Sequence, residues 1–169
     1  MTQTTRDILV VGLRNAHAME IQARELMERQ AERLTEYPEV MAKAKEHLAE
    51  TEEQIRRIDR CLEACGESNS PMKDTAQSLA ANLTALGHSM ADDEILKNTF
   101  ANNAFENYEI AAYRSLLTLC DHAGLPGVRG TLEKSLAEEE GMADWVAANV
   151  EKITADYLAH TKPMMSPAQ

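Results

Sequence analysis

Helix breakers are few in this chain, and their positions limit what it can fold into. The clearest ones fall in three places, Tyr37-Pro38, Gly66 to Pro71 and Gly124 to Gly130. Periodic apolar patterning between them predicts helices over 4–35, 38–65 and 130–160. The middle stretch divides near Gly87 into a short helix over 72–86 and a long one over 91–123. Asp92 or Asp93 can cap that long helix, and Gly124 is placed to end it. Composition agrees, because 4% aromatic residues, 7 Gly and 5 Pro are too few to build many strands and turns. A length of 169 residues suits one domain over 1–161, and the tail over 162–169, with Pro163 and Pro167, is expected to be disordered.

The connections then select a topology. The first two long helices can lie antiparallel through a tight turn, and so can the last two. The link between the second and third must run the length of the bundle. The expected fold is therefore all-α, a ferritin-like four-helix bundle with one long crossover connection carrying a short fifth helix. An irregular all-α domain is the alternative.

A helix turns about 100° per residue, so each inward stripe can be read from its apolar positions and searched for polar intruders. Leu13, Ala16, Ala23, Met27, Ala31 and Leu34 share a face of the first helix, with Glu20 at its centre and His17 on its edge. The second helix turns Val40, Ala44, Leu48, Thr51, Ile55, Ile58 and Leu62 inward. His47 and Gln54 fall within or beside that arc, Glu50 lies at its margin, and Glu53 points away. Asn102, Ile110, Tyr113, Leu117 and Cys120 define the stripe of the third long helix, and both Glu106 and Glu109 fall inside it. The last helix centres Glu139 on a face with Leu132, Ser135, Leu136, Met142, Ala143 and Val146, and Glu138 sits near one edge.

All four long helices thus offer a carboxylate to the interior near mid-length. Buried carboxylates left uncompensated cost several kcal/mol each and repel one another, so protons, cationic side chains or metal must neutralise them. Arg24 is the one basic residue that can be placed near an inward stripe, too little for the set. Two metal cations would suffice, and an oxygen-rich set with one imidazole suits iron, or else manganese. The candidate ligands are Glu20, His47, Glu50, Glu106, Glu109 and Glu139. Other readings stand beside them: Glu50 could pair with nearby arginines at the surface, and His47 could be a satisfied core histidine. Tyr113 could donate to a ligating carboxylate or simply fill the core. His17 and Gln54 have the same ambiguity and are not assigned as ligands. Met142 stands three residues after Glu139, where bundle di-metal motifs place a second histidine.

Net charge and cysteines exclude other classes. With 28 acidic against 17 basic residues the formal charge is −11, and no Lys/Arg cluster offers a nucleic-acid site. The longest apolar run, Ile8 to Leu13, is too short for a membrane helix or a signal-peptide core. Three cysteines, an odd number, do not make a disulfide framework. Cys61 and Cys65, four apart, could be a redox pair or half a metal site. Without a second Cys/His pair at zinc spacing they read as small buried apolar residues. A soluble cytoplasmic protein is expected.

Four segments carry a family resemblance: LRNAHAMEIQARELM around Glu20, KEHLAETEEQIRRIDRCL around His47 and Glu50, ENYEIAAYRSL around Glu106 and Glu109, and LEKSLAEEEGMADWV around Glu139. Over residues 6–160 the chain resembles the YciF/YciE-type stress proteins of the ferritin-like superfamily, which are related in pattern to rubrerythrins. The resemblance implies a di-iron bundle, a homodimer, a stress-associated role and a metal reaction with oxygen or peroxide if the protein is an enzyme. The alternative is a structural or interaction bundle that binds metal weakly or not at all. Rubrerythrins similarly carry a Glu-x-x-Glu pair, matched by Glu106 and Glu109. The chain departs from the superfamily in reading His-x-x-Glu on the second helix, in lacking a histidine on the last, and in having no Cys-x-x-Cys pair of rubredoxin type. Histidine-poor coordination bears on ferroxidase or peroxidase activity more than on metal binding.

Overall fold

The structure, a computed structural model, describes residues 3–31, 33–67 and 94–161. It holds α1 (Thr5–Ala31), α2 (Pro38–Ala64), α3 (Glu94–Ala123) and α4 (Pro126–Thr161), with no strand among the described residues. The expected helix over 72–86, the caps at Asp92 and Asp93 and the tail over 162–169 lie outside them.

Local chemistry sets the helix ends. Thr4 and Asp7 cap α1 reciprocally: the Asp7 amide donates to Thr4 Oγ1 at 3.2 Å, and the Thr4 amide donates to Asp7 Oδ2 at 2.8 Å. Pro38 opens α2, where its missing N–H is not needed. Both α2 and α3 stop at a glycine in the left-handed region, Gly66 at φ 70° and Gly124 at φ 68°. Beyond each glycine the chain closes back on the last turn, with Glu67 N donating to Leu62 O at 3.0 Å and Leu125 N to Cys120 O at 3.0 Å.

Two boundaries differ from expectation. α1 ends at Ala31 rather than near residue 35, because the turn into Pro38 must begin earlier. α4 starts at Pro126, so Gly127 and Gly130 lie inside the helix and not in a loop. Proline at the first helical position is preorganised, and each interior glycine costs only about 1 kcal/mol.

Packing order follows from the cross-helix pairs. Arg14 meets Glu67 at 2.7 Å and Arg33 meets Glu94 at 2.8 Å, so α1 runs antiparallel to both α2 and α3. Arg57 with Glu138 and Lys152 with Glu39 set α2 antiparallel to α4. Each helix touches two neighbours, leaving α1 and α4, and α2 and α3, as the diagonals. Since α2 ends at the opposite end of the bundle from where α3 begins, the connection is the single long crossover of ferritin-like bundles. Gly12 lets α1 and α3 close up: a Cβ there would meet Leu116 Cδ2 at 2.8 Å. The main apolar cluster gathers around Leu9, Leu13, Ile58, Leu62, Leu116 and Leu132, and a smaller one at the other end joins Leu34, Ala44, Ile95 and Ile153. No helix among the described residues is long and apolar enough to cross a membrane.

Candidate metal centre

Mid-bundle, each helix contributes at least one ionisable or amide side chain to a shared interior. Glu20 of α1 and Glu139 of α4 are 0% exposed, Glu109 of α3 and His47 of α2 are 1%, and Glu106 of α3 is 4%. His47 Nε2 lies 3.3 Å from Glu106 Oε2 and 3.5 Å from Glu139 Oε2. These are ion-pair separations, too long or poorly aimed for full hydrogen bonds. Ligand atoms of His47, Glu106 and Glu139 all lie within 4.8 Å of one another. Glu20 is tethered by the Tyr113 hydroxyl, which donates to its Oε1 at 2.6 Å.

What remains unsatisfied is the informative part. Glu20 Oε2, Glu106 Oε2, Glu109 Oε1 and Glu139 Oε2 are all buried without a hydrogen-bond partner. Buried polar atoms are normally paired, because leaving one unpaired costs about 1–3 kcal/mol. The carboxyls respond through protonation. Burial first, then the neighbouring acids, raises Glu20 and Glu109 well above the ordinary carboxylate range. Burial also lifts Glu106 to about 7, against the pull of His47. Burial would raise Glu139, but the charge of the neighbouring His47 and interaction with Glu106 and Glu109 outweigh it and hold Glu139 below its ordinary value. Burial alone would depress His47, but Glu106 and Glu139 outweigh it and raise the imidazole to about 11. Without metal the cluster is a proton-loaded site around one imidazolium. The open oxygens, contributed by α1, α3 and α4 around a single imidazole, fit hard divalent cations such as iron or manganese.

Of the sequence-predicted ligands, Glu20, His47, Glu106, Glu109 and Glu139 share this interior. Glu50 stands on the other side of the imidazole, 2.9 Å from His47 Nδ1, with its side chain 30% exposed. There it orients the ring so that Nε2 faces Glu106 and Glu139. Tyr113 does donate to a candidate ligand. His17 pairs with Asp59 at 3.3 Å. Arg24 reaches along its own helix toward Glu28 at 3.9 Å, since a long cationic side chain at the margin can bring its charge out to water. The guanidinium that does come to the rim is Arg57, which periodicity alone did not single out. Gln54, left unassigned from sequence, is fully buried and donates to Glu139 Oε1 at 2.5 Å. Its place beside the inward arc of α2 was the available signal. The three cysteines are buried, free thiols; burial pushes Cys61 up to about 12 and Cys120 up to about 11, so neither is a ready thiolate.

Comparison with known proteins agrees with this architecture. A family model described as Domain of unknown function (DUF892) matches residues 4–159. A solved protein of Xanthomonas campestris pv. campestris is 31% identical, with 92% of this chain and 97% of that one covered and a TM-score of 0.77. YcfI of Rhodopseudomonas palustris is 26% identical, covering 86% of this chain and 94% of its own, at a TM-score of 0.72. The E. coli stress protein YciF, at 23% identity, 91% and 99% coverage and a TM-score of 0.78, shares the fold. With its helices, crossover and buried acidic interior accounted for together, the chain belongs to the DUF892 family of YciF-type helical proteins.

Proposed function

We propose that this protein holds a pair of divalent metal ions, iron by preference and manganese otherwise, in the middle of its bundle. The observation that carries the reading is the set of buried carboxylate oxygens on Glu20, Glu106, Glu109 and Glu139 that have no hydrogen-bond partner. Four ionised carboxylates would balance two divalent cations, about +4 in charge. His47, Glu106 and Glu139 would hold one ion; Glu20 and Glu109, with sharing of the remaining carboxylates, would hold the other. Glu50 belongs to the ligand set expected from sequence, and in this geometry it serves the centre through His47. When bound, iron in such an oxygen-rich site supplies electrons to oxygen or peroxide, the redox role we assign to a stress-associated member of this family. The chain's own residues keep water out, fix the imidazole through Glu50 and hold Glu20 through Tyr113.

Metal content after purification without chelator, by plasma mass spectrometry, tests the reading. Close to two iron or manganese ions per chain is expected. Content well below about one ion per chain, after reconstitution with Fe(II), would favour a bundle that works as a structural or interaction protein.

We further propose a cytoplasmic homodimer. Free buried thiols suit a reducing compartment. The outward face of α3 supports self-association: between Lys97 and Arg114 its only charged residues, Glu106 and Glu109, are buried, while Phe100 and Tyr108 are 55% and 50% exposed. Two copies of a chain carrying −11 can meet with least repulsion where exposed charge is absent.

A further inference from the structure

Three side chains connect the rim of the bundle to one carboxylate of the centre. Arg57 grips Glu138 with both terminal nitrogens, Nη1 to Oε2 at 2.5 Å and Nη2 to Oε1 at 2.8 Å. Nη1 also reaches Ser135 Oγ at 3.3 Å. Gln54 Nε2 donates to that same Glu138 Oε2 at 3.0 Å, and to Glu139 Oε1 at 2.5 Å. Burial decreases outward: Gln54 is 0% exposed, whereas the side chains of Arg57 and Glu138 are 12% and 22% exposed.

The donor inventory gives this arrangement its meaning. A primary amide nitrogen carries two hydrogens, and here each meets a carboxylate on adjacent residues of α4. Glu139 Oε1 is thereby occupied, and Oε2, which lies toward His47, is left open. Neutrality matters as much as geometry. A lysine or arginine in place of Gln54 would also hold Glu139, but it would bring a positive charge into a cavity that must attract cations. An amide orients the carboxylate and leaves its charge for the metal. The cation that anchors the amide, Arg57, stands farther out and has its charge matched by Glu138.

We propose that Gln54 is a positioning residue of the centre, fixing Glu139 for metal from an anchor formed by the Arg57–Glu138 pair. This rests on the metal reading above. Glu138 meets the centre through Gln54, whereas Arg57 also reaches Ser135, so the Gln54–Glu138 step is the one a pair of variants can separate from a general loss of stability.

The experiment is a Co(II) titration of the full chain, followed by visible absorption and calorimetry, on wild type, Gln54→Leu, Glu138→Gln and the double variant. Gln54→Leu is expected to weaken Co(II) binding roughly 10–100-fold and to shift the ligand-field bands, with the number of ions per chain unchanged. Glu138→Gln, at the partly exposed rim, keeps the fold and gives a smaller loss in the same direction. The double variant should bind no worse than Gln54→Leu alone, since one linkage is broken twice. Additive losses, or a Gln54→Leu protein that binds as wild type with the same spectrum, would overturn the positioning role while the metal reading stands. If Gln54→Leu does not fold, Glu138→Gln decides alone: unchanged affinity and spectrum reject the linkage. Wild type that takes up no Co(II) would bring down the metal reading and this proposal together.

Discussion

Glu106 and Glu109 are three apart on one helix, and both are buried. On a solvated face such a like-charge pair would be mildly destabilising; inside, it requires protons or metal. That requirement gives a pH dependence with a definite sign. A carboxyl whose folded-state pKa is raised favours the fold most at pH below its ordinary range, and the advantage is lost as pH rises through the folded value. For Glu106 the folded value is about 7, and Glu20 and Glu109 shift in the same direction. His47, raised to about 11, also loses its contribution on the alkaline side. Glu139, which is lowered, acts oppositely but only on the acid side of the carboxylate range. Metal-free protein is therefore expected to lose thermal stability between about pH 5 and about pH 8, and Glu106→Gln to flatten that slope. Melts in chelator across that interval check it; parallel slopes for the two proteins would remove Glu106 from the account. Metal competes with the same protons, so Fe(II) or Mn(II) affinity should rise over the same interval, with proton release measurable by calorimetry in buffers of different ionisation enthalpy.

At the scale of the helix, glycines separate by backbone conformation. Gly124 ends α3 at φ 68°, and a Cβ there would meet no described atom within 4 Å. Gly124→Ala should therefore destabilise by about 1–2 kcal/mol for purely backbone reasons. Gly141, inside α4 and equally open around its Cβ, has no positive φ. Gly141→Ala should stabilise by about 0.5–1 kcal/mol. Urea melts of both variants test the pair, and equal signs would contradict the assigned helix end. The same contrast explains how legible the elements were from sequence. Gly66 and Gly124 ended helices as expected because each follows a long apolar period. Gly127 and Gly130 did not break α4, since a cluster of breakers does not reveal which one the chain will tolerate once Pro126 has started a helix.

For the whole molecule, stability and metal are linked. Binding to the native state alone raises the midpoint of unfolding, so Fe(II) should raise the melting temperature of wild type and leave Glu106→Ala/Glu139→Ala unmoved. In the metal-free state that double variant should be less stable than wild type at neutral pH, because it removes both carboxylates beside the buried His47 and leaves a cavity. Self-association is tested separately by light scattering: Tyr108→Arg, which places charge on the bare face of α3, should shift a dimer toward monomer, and an unchanged mass would place the contact elsewhere. Gel filtration of the metal-loaded protein in parallel shows whether the two properties are independent.

Read along the chain alone, the residues were enough to establish that it is helical, that its first and last helix pairs turn tightly while the middle connection crosses the bundle, and that Glu20, Glu106, Glu109 and Glu139 face inward. Those properties follow from the helical period and from breaker spacing, both of which are local. The packing of the helices against one another is what puts Glu50 behind His47, brings Arg57 rather than Arg24 to the rim, and joins α2 to Glu139 through Gln54. Each of these depends on the rotation and axial offset of one helix against another. Periodicity gives a direction around one helix axis, but the partner a long side chain finds is set by the neighbouring helix, a few ångströms away and about eighty residues distant in sequence for Gln54 and Glu139.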